Sequence, residues 1–331
     1  MRVLAFEGGA WRHSGELRPE DARDLAWGPT HVWIRLEGLQ ESKLDALGAV
    51  FDLHPLAIED VRNHRQRPKV EDYPNLTFVV ARAPRWKRET DEMSWLTVGI
   101  FLGPDFLITC CTDPVAELDA VEKRLLGAKP SPKIATIDHA FYQVLDTIVD
   151  SYFPIMDELE ERIEDLEEGI IKSPEQEELQ KVLALKRIVS QTRKTVYPMR
   201  EAMLTLEKGE HPNIREETIL YLRDVADHMT RLAERLEHVR EVAVLTQESY
   251  NATVQIENAQ LQNQINKVVK VLAGITFVES VPLVVASLYG MNLQGIPQWH
   301  LGGLNPFWSA TVVMCGAMVP LYLIAKKFDW I

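Results

Sequence analysis

Apolar and polar positions divide this 331-residue chain into three textures. Up to about residue 130 they alternate with period two, or form short apolar blocks punctuated by Gly, Pro and Asp, as strands and short helices do. Beyond that, apolar positions recur every three or four residues, the spacing of amphipathic helices. Near the C-terminus two runs are almost wholly apolar, Val271 to Tyr289 and Leu304 to Ala325. Each is close to the ~20 residues that cross a bilayer as a helix.

The first texture predicts a mixed α/β domain over residues 1–130. Met1 to Glu7 reads as a first strand rather than a signal peptide, because its apolar run is short and ends in an acid. Thr30 to Leu36 alternates as a strand does; Asn75 to Ala83, Ser94 to Phe101 and Phe106 to Cys111 are further strands, the last two parted by a turn at Gly103-Pro104-Asp105. Glu41 to Phe51 is an amphipathic helix, His54-Pro55-Leu56 starts another, and Pro114 to Leu126 is a third. Nothing here forms a phosphate loop or a nucleophile elbow.

Residues 131–216 predict an acidic helical hairpin. Ile134 to about Ile171 is helical with a break at Pro154; Ser173-Pro174-Glu175 caps and starts the next helix, which runs to about Leu206 and closes over Gly209 to Asn213. The third long helix starts near Glu217 and meets no strong breaker before Pro282. Continued to Gly290 it spans residues 217–290, roughly 110 Å at 1.5 Å per residue, which implies a stalk running into the first span. Leu222, Val225, Met229, Leu232, Leu236 and Val239 suit a packed bundle in its lower part. Residues 291–303 form a loop between the spans, and 304–331 hold the second span and a basic tail.

Charge sharpens this picture. The formal net charge of −13 argues against a nucleic-acid partner and fits cations. Three cysteines, Cys110, Cys111 and Cys315, form neither a disulfide framework nor a CxxC zinc motif. Lys267 and Lys270 precede the first span, Lys326 and Lys327 follow the second, and the loop between carries neither Lys nor Arg. The positive-inside rule puts both termini and the body in the cytoplasm. The acids of the hairpin (Asp157, Glu158, Glu160, Glu161, Glu164, Asp165, Glu167 and Glu168) read either as a solvated face or as a negative funnel for cations.

Thr276, Ser280 and Ser287 share one face of the first span. That stripe extends down through Ala273, Val269 and Asn266, and up through Leu283, Val284 and Met291. It would line an aqueous path if several copies surrounded an axis, or it would glue helices together. Glu279 lies mid-span, about 60° from Thr276 at ~100° per residue. A carboxylate there is costly and is a functional candidate for binding a cation, carrying a proton or pairing with a neighbouring subunit. Two spans cannot enclose a conduit, so transport requires an oligomer. A helix ending at Gly290-Met291-Asn292 offers backbone carbonyls and an amide to a hard cation.

Tyr289-Gly290-Met291-Asn292 between two C-terminal spans resembles the signature of the CorA family of divalent-cation channels and transporters, and the resemblance runs nearly the full length. Supporting stretches are His54 to Asp60, Gln66 to Glu71, Asp150 to Pro154, Arg223 to His228 and the tail Lys326-Lys327-Phe328-Asp329-Trp330. The resemblance implies an α+β cytoplasmic domain, a long helical stalk and two C-terminal transmembrane helices, assembled as a funnel-shaped homopentamer in the cytoplasmic membrane. It implies that Gly290, Met291 and Asn292 form an outer mouth selecting a largely hydrated ion. Asn266 matches a polar ring, Val269 and Leu272 match a hydrophobic constriction, and Lys326 and Lys327 would form a cytoplasmic basic ring. Asp60 and Asp224 match paired carboxylates that hold a regulatory metal between subunits. By themselves they read as a helix or turn residue and as a helix surface charge.

Leu293 to Asn305 carries no acid but contains Gly295-Ile296-Pro297 and His300, closer to the zinc-transporting ZntB branch; Glu279 is not typical of the family pore. Three readings follow. The first is a Mg2+ channel or transporter that also passes Co2+ or Ni2+, with the divalent ion as cargo and regulator, lipid and its own copies as partners, and no organic cofactor. The second is a ZntB-like, proton-coupled Zn2+ transporter using Glu279 or His300. The third is a membrane-anchored metal-sensing scaffold. No nucleophile–base set or nucleotide loop points to an enzyme.

Overall fold

The computed structural model describes residues 1–7, 10–16, 31–63, 65–87, 92–127, 136–172, 174–291, 301–328 and 330. These divide into two compact units, Met1–Tyr250 and Asn251–Ile331.

In the first unit seven strands form one sheet: β1 (Arg2–Glu7), β2 (Ala10–Glu16), β3 (Val32–Glu37), β4 (Lys69–Tyr73), β5 (Leu76–Lys87), β6 (Glu92–Leu102) and β7 (Phe106–Cys111). Their order is β2-β1-β3-β7-β6-β5-β4; β3 and β7 pair parallel and every other pair is antiparallel. Alternate residues of each central strand enter separate cores, so both faces are buried and the strands read as nearly continuous apolar runs. Val32, Ile34, Phe78, Val80, Phe101 and Ile108 pack against Leu44, Leu47, Phe51, Ala57 and Val61 of α1 (Glu41–Phe51) and α2 (Pro55–Arg62). Gly99 permits that approach, since a Cβ there would collide with the Val61 side chain.

The other face of the sheet, through Trp33, Val79, Ala81, Val98, Ile100 and Leu107, shares one core with the helices that follow. These are α3 (Ala116–Gly127), α4 (Ile137–Asp150), α5 (Phe153–Lys172), α6 (Gln176–Lys208) and the start of α7 (Glu216–Gly290). The helical break falls at Ser151-Tyr152, which places Pro154 in the first turn of α5, where its missing N–H costs nothing. Helix α6 begins two residues after Pro174, because Glu175 is extended and caps it; Ser173 lies outside the described residues. The turn before α7 is tied down by buried polar groups. His211 Nδ1 lies 2.8 Å from Asp72 Oδ2, and Thr218 Oγ1 donates to Asp138 at 2.6 Å.

One group is buried at unusual cost. Arg35 on β3 is fully buried, yet it bonds Glu122, Glu37, Asp119 and the Leu118 carbonyl, and so fastens α3 to the sheet. Burial pushes the Asp119 carboxyl up, but hydrogen bonds from Arg35 and Arg2 outweigh it and hold that group below the ordinary range. Burial also pushes the thiols of Cys110 and Cys111 up, which disqualifies both as thiolates.

The second unit holds the upper part of α7 and α8 (Pro306–Lys327). Helix α7 runs 75 residues without interruption, through Pro282. Both helices are long and apolar enough to cross a membrane. Asn305 caps α8, accepting from Trp308 N at 3.0 Å, with Pro306 at the first helical position. The helix ends in the exposed pair Lys326 and Lys327.

Candidate ion path and metal-binding cluster

Along the upper part of α7, Thr276, Ser280, Leu283 and Ser287 fall within about 60° of one another at ~100° per residue. Val269, Leu272, Ala273 and Met291 widen that stripe, and Asn266 lies at its edge. All are exposed except Ser280, which is half-buried. The buried positions of the same stretch, Gly274 and Val278, lie on the opposite side of the helix. Within the unit, therefore, the covered side of α7 is apolar and the side carrying the hydroxyls is left open. The hydroxyls of Thr276 and Ser280 return to the Leu272 and Phe277 carbonyls, and Gln262 donates to Asn266 at 3.1 Å. Such back-bonded hydroxyls present oxygen lone pairs outward, which suits a hydrated cation.

Glu279 sits on the flank of the stripe. With Pro282, Leu283 and Ala286 it lines a groove of about 450 Å³ whose other wall is Thr311, Met314, Cys315 and Met318 of α8. Among the described residues it has no hydrogen-bond or ion-pair partner. Gly290 ends α7, Met291 follows it, and both are exposed; Asn292, Gly295 to Pro297 and His300 lie outside the described residues.

The first unit carries two acidic clusters. In one, Asp60 near the end of α2 is held by Lys69 and Gln66. In the other, packing of α4 against α7 gathers Asp146, Asp150 and His228, whose ligand atoms all lie within 4.8 Å of one another. Asp224 Oδ2 stands 3.5 Å from His228 Nε2 at the exposed edge. The predicted pair Asp60 and Asp224 thus falls in separate clusters within one chain. Asp146, Asp150 and His228 were not singled out from the sequence. Their signal was two acid-containing i,i+4 pairs, Asp146/Asp150 and Asp224/His228, on helices that only the fold brings together.

The donor set fits a divalent cation. His228 Nδ1 is buried without a hydrogen-bond partner among the described residues, although Asp150 Oδ1 lies 3.4 Å away. Burial and the charge of Asp150 push the Asp146 carboxyl up, and burial with Asp146 pushes the Tyr142 phenol up to about 12. The carboxylates suit Mg2+ with retained waters, whereas the imidazole favours Co2+, Ni2+ or Zn2+. A raised carboxyl costs folding free energy wherever it is ionised, and that cost vanishes as pH falls below the ordinary carboxylate range. Asp146→Asn should therefore raise metal-free stability near pH 7 by roughly 0.5 kcal/mol, the scale of an i,i+4 like-charge pair, and by less at pH 4, where the carboxyl is already partly protonated. It should also abolish any Mg2+-dependent rise in melting temperature. Scanning calorimetry at both pH values checks this, and an undiminished Mg2+ response would remove Asp146 from the ligand set.

The family described as "CorA-like Mg2+ transporter protein" matches residues 29–327. The chain belongs to the CorA family. It is 29% identical to the cobalt/magnesium transport protein CorA of Thermotoga maritima, over 90% of this chain and 84% of that protein. The cobalt/magnesium transport protein CorA of Methanocaldococcus jannaschii is 22% identical over 91% of each chain. The complete structure of the M. jannaschii CorA magnesium transporter superposes with a TM-score of 0.70 at 21% identity, covering 100% of this chain and 99% of that one. The ZntB cytoplasmic domain of Vibrio parahaemolyticus matches at a TM-score of 0.64 and 13% identity, covering 77% of this chain and 98% of that one, a likeness of fold alone. The expected α/β body, long helix and two apolar C-terminal helices are thus those of a CorA fold. The CorA family is one of divalent-cation transporters and not of enzymes.

Proposed function

We propose that this CorA-family chain forms a homopentameric Mg2+ channel or transporter that also passes Co2+ and Ni2+. It lies in the cytoplasmic membrane with both termini in the cytoplasm, and it takes no organic cofactor. The observation that carries this reading is the open stripe Val269–Thr276–Ser280–Leu283–Ser287 leading to Gly290 and Met291. Copies of α7 around an axis would turn these groups onto one path, with Gly290, Met291 and Asn292 at its outer mouth. Ions enter there still hydrated, pass the hydroxyls, and cross a constriction at Val269 and Leu272 above the Asn266 ring. Lys326 and Lys327, both exposed at the end of α8, support the cytoplasmic placement of the tail.

Gating follows from the acidic clusters. Cytoplasmic Mg2+ held by Asp60 of one subunit and Asp224 of the next, with Asp146, Asp150 and His228 beside it, would hold neighbouring subunits together and closed. Loss of metal leaves those carboxylates repelling one another, and the pore opens. The domains act accordingly: 1–130 and 131–216 sense metal, 217–290 transmits and conducts, 291–303 selects, and 304–331 anchors.

Flux into proteoliposomes tests the reading. Mg2+ uptake should proceed without regard to a pH gradient and fall at least about tenfold in Asn292→Ala, a loss of some 1.4 kcal/mol of transition-state stabilisation. Zn2+ uptake that tracks the proton gradient would replace this reading with a ZntB-like carrier. Uptake of neither ion by well-inserted protein would leave a metal-sensing scaffold.

A further inference from the structure

Helix α2 ends at Arg62 and β4 begins at Lys69, which stands beside Asp60. Lys69 Nζ lies 2.6 Å from Asp60 Oδ2 and 2.7 Å from Glu71 Oε1. Asp60 Oδ1 accepts from Gln66 Nε2, and Glu71 Oε2 accepts from the Tyr73 hydroxyl at 2.8 Å. Every oxygen of both carboxylates is therefore supplied with a donor from the same chain. Glu59, Asp60, Glu71 and Asp72 line one cavity of about 460 Å³, and Lys69 is the cation among its lining residues. The ammonium occupies the place at Asp60 that a bound cation would take.

We propose that Lys69 is a tethered counter-cation that a divalent ion must displace from Asp60, and so sets the concentration at which that carboxylate binds metal. This rests on the reading of Asp60 as a regulatory ligand. An ammonium is a compact, well-hydrated point charge on a flexible stem, so it leaves the carboxylate without breaking a fixed bidentate geometry. Lys69 and Asp60 are each partly exposed, with side-chain exposures of 28% and 17%, which keeps the pair weak enough to exchange. Glu71 holds the ammonium nearby after displacement, so the competitor stays at high local concentration and returns when the ion departs. The consequence is a deliberately weak site, matched to an abundant ion rather than a trace one.

The test is an MgCl2 titration of the full-length protein in detergent, read as resistance to chymotrypsin, which does not cleave at Lys69. Lys69→Met should lower the Mg2+ midpoint at least about threefold, no less than the effect of a weak, partly exposed ion pair removed from competition. Lys69→Arg, which keeps a cation at the carboxylate, should stay within about twofold of wild type. In an Asp60→Asn background Lys69→Met should have no further effect, because the pair no longer exists. A midpoint unchanged or raised in Lys69→Met overturns the proposal, as does an equal drop in the Asp60→Asn background. If Asp60→Asn alone leaves the wild-type midpoint untouched, the regulatory reading of Asp60 fails as well. A normal loss in Asp60→Asn beside an inert Lys69→Met would sink the lysine's role alone.

Discussion

Cysteines placed at Thr276 and Ser280 and labelled with a cationic thiol reagent should lose divalent-cation flux by at least about tenfold, whereas a cysteine at Val278 should not. The background is Cys315→Ala, since Cys110 and Cys111 are buried and Cys315 is exposed. Thr276 and Ser280 lie on the open side of α7, and Val278 is buried on the opposite one. A fixed positive charge in a narrow path repels each unit of a cation's charge by about 4 kcal/mol at 4 Å and an effective dielectric of 20. A divalent ion feels about twice that, far above the 1.4 kcal/mol that a tenfold loss requires. Flux is measured before and after labelling in the same proteoliposomes. Undiminished flux in fully labelled Thr276→Cys and Ser280→Cys would mean that the hydroxyl stripe joins helices and lines no path.

Arg35→Met should destabilise the first unit by about 3–5 kcal/mol, because it strands a buried carboxylate. Glu122 is itself buried, and Glu37 and Asp119 lose the same partner. Arg2, which is partly exposed, contacts Glu37 and Asp119 at 2.9 Å and can compensate those two, whereas Glu122 keeps only the looser contacts to Arg2 at 3.5 Å and to the exposed His13 at 3.3 Å. The cost should appear as a fall of roughly 10 °C in the melting followed by intrinsic tryptophan fluorescence, at the few degrees per kcal/mol expected for a unit of this size. Restoring the charge balance with Glu122→Gln should recover part of the loss. A melting temperature within a degree or two of wild type would show that water reaches Glu122 and that this network is not a closed one.

The open stripe was legible because helical periodicity is local: Thr276, Ser280 and Ser287 share a face whatever they pack against. The strands were legible where they are central and apolar, as at Phe106–Cys111, whose bounds agree with the pattern. Arg35 was not, because a charged residue in an alternating strand reads as solvent-facing, and only α3 laid across β3 buries it. Pro174 reads as the first turn of α6 because its fixed φ suits one, but the extended Glu175 after it defers the helix to Gln176.

By itself the sequence determined the two spans, the single helix from the bundle into the first of them, the side of that helix carrying the hydroxyls, and the family signature. All of these are properties of contiguous residues, set by apolar length and by the 3.6-residue turn. Only the tertiary structure decided which distant acids meet. Asp146 and Asp150 reach His228 because α4 packs on α7 in one core, and Asp60 meets Lys69 because the chain reverses after α2 into an edge strand. Those encounters depend on which buried faces are complementary, and charge patterning along a chain carries no record of that.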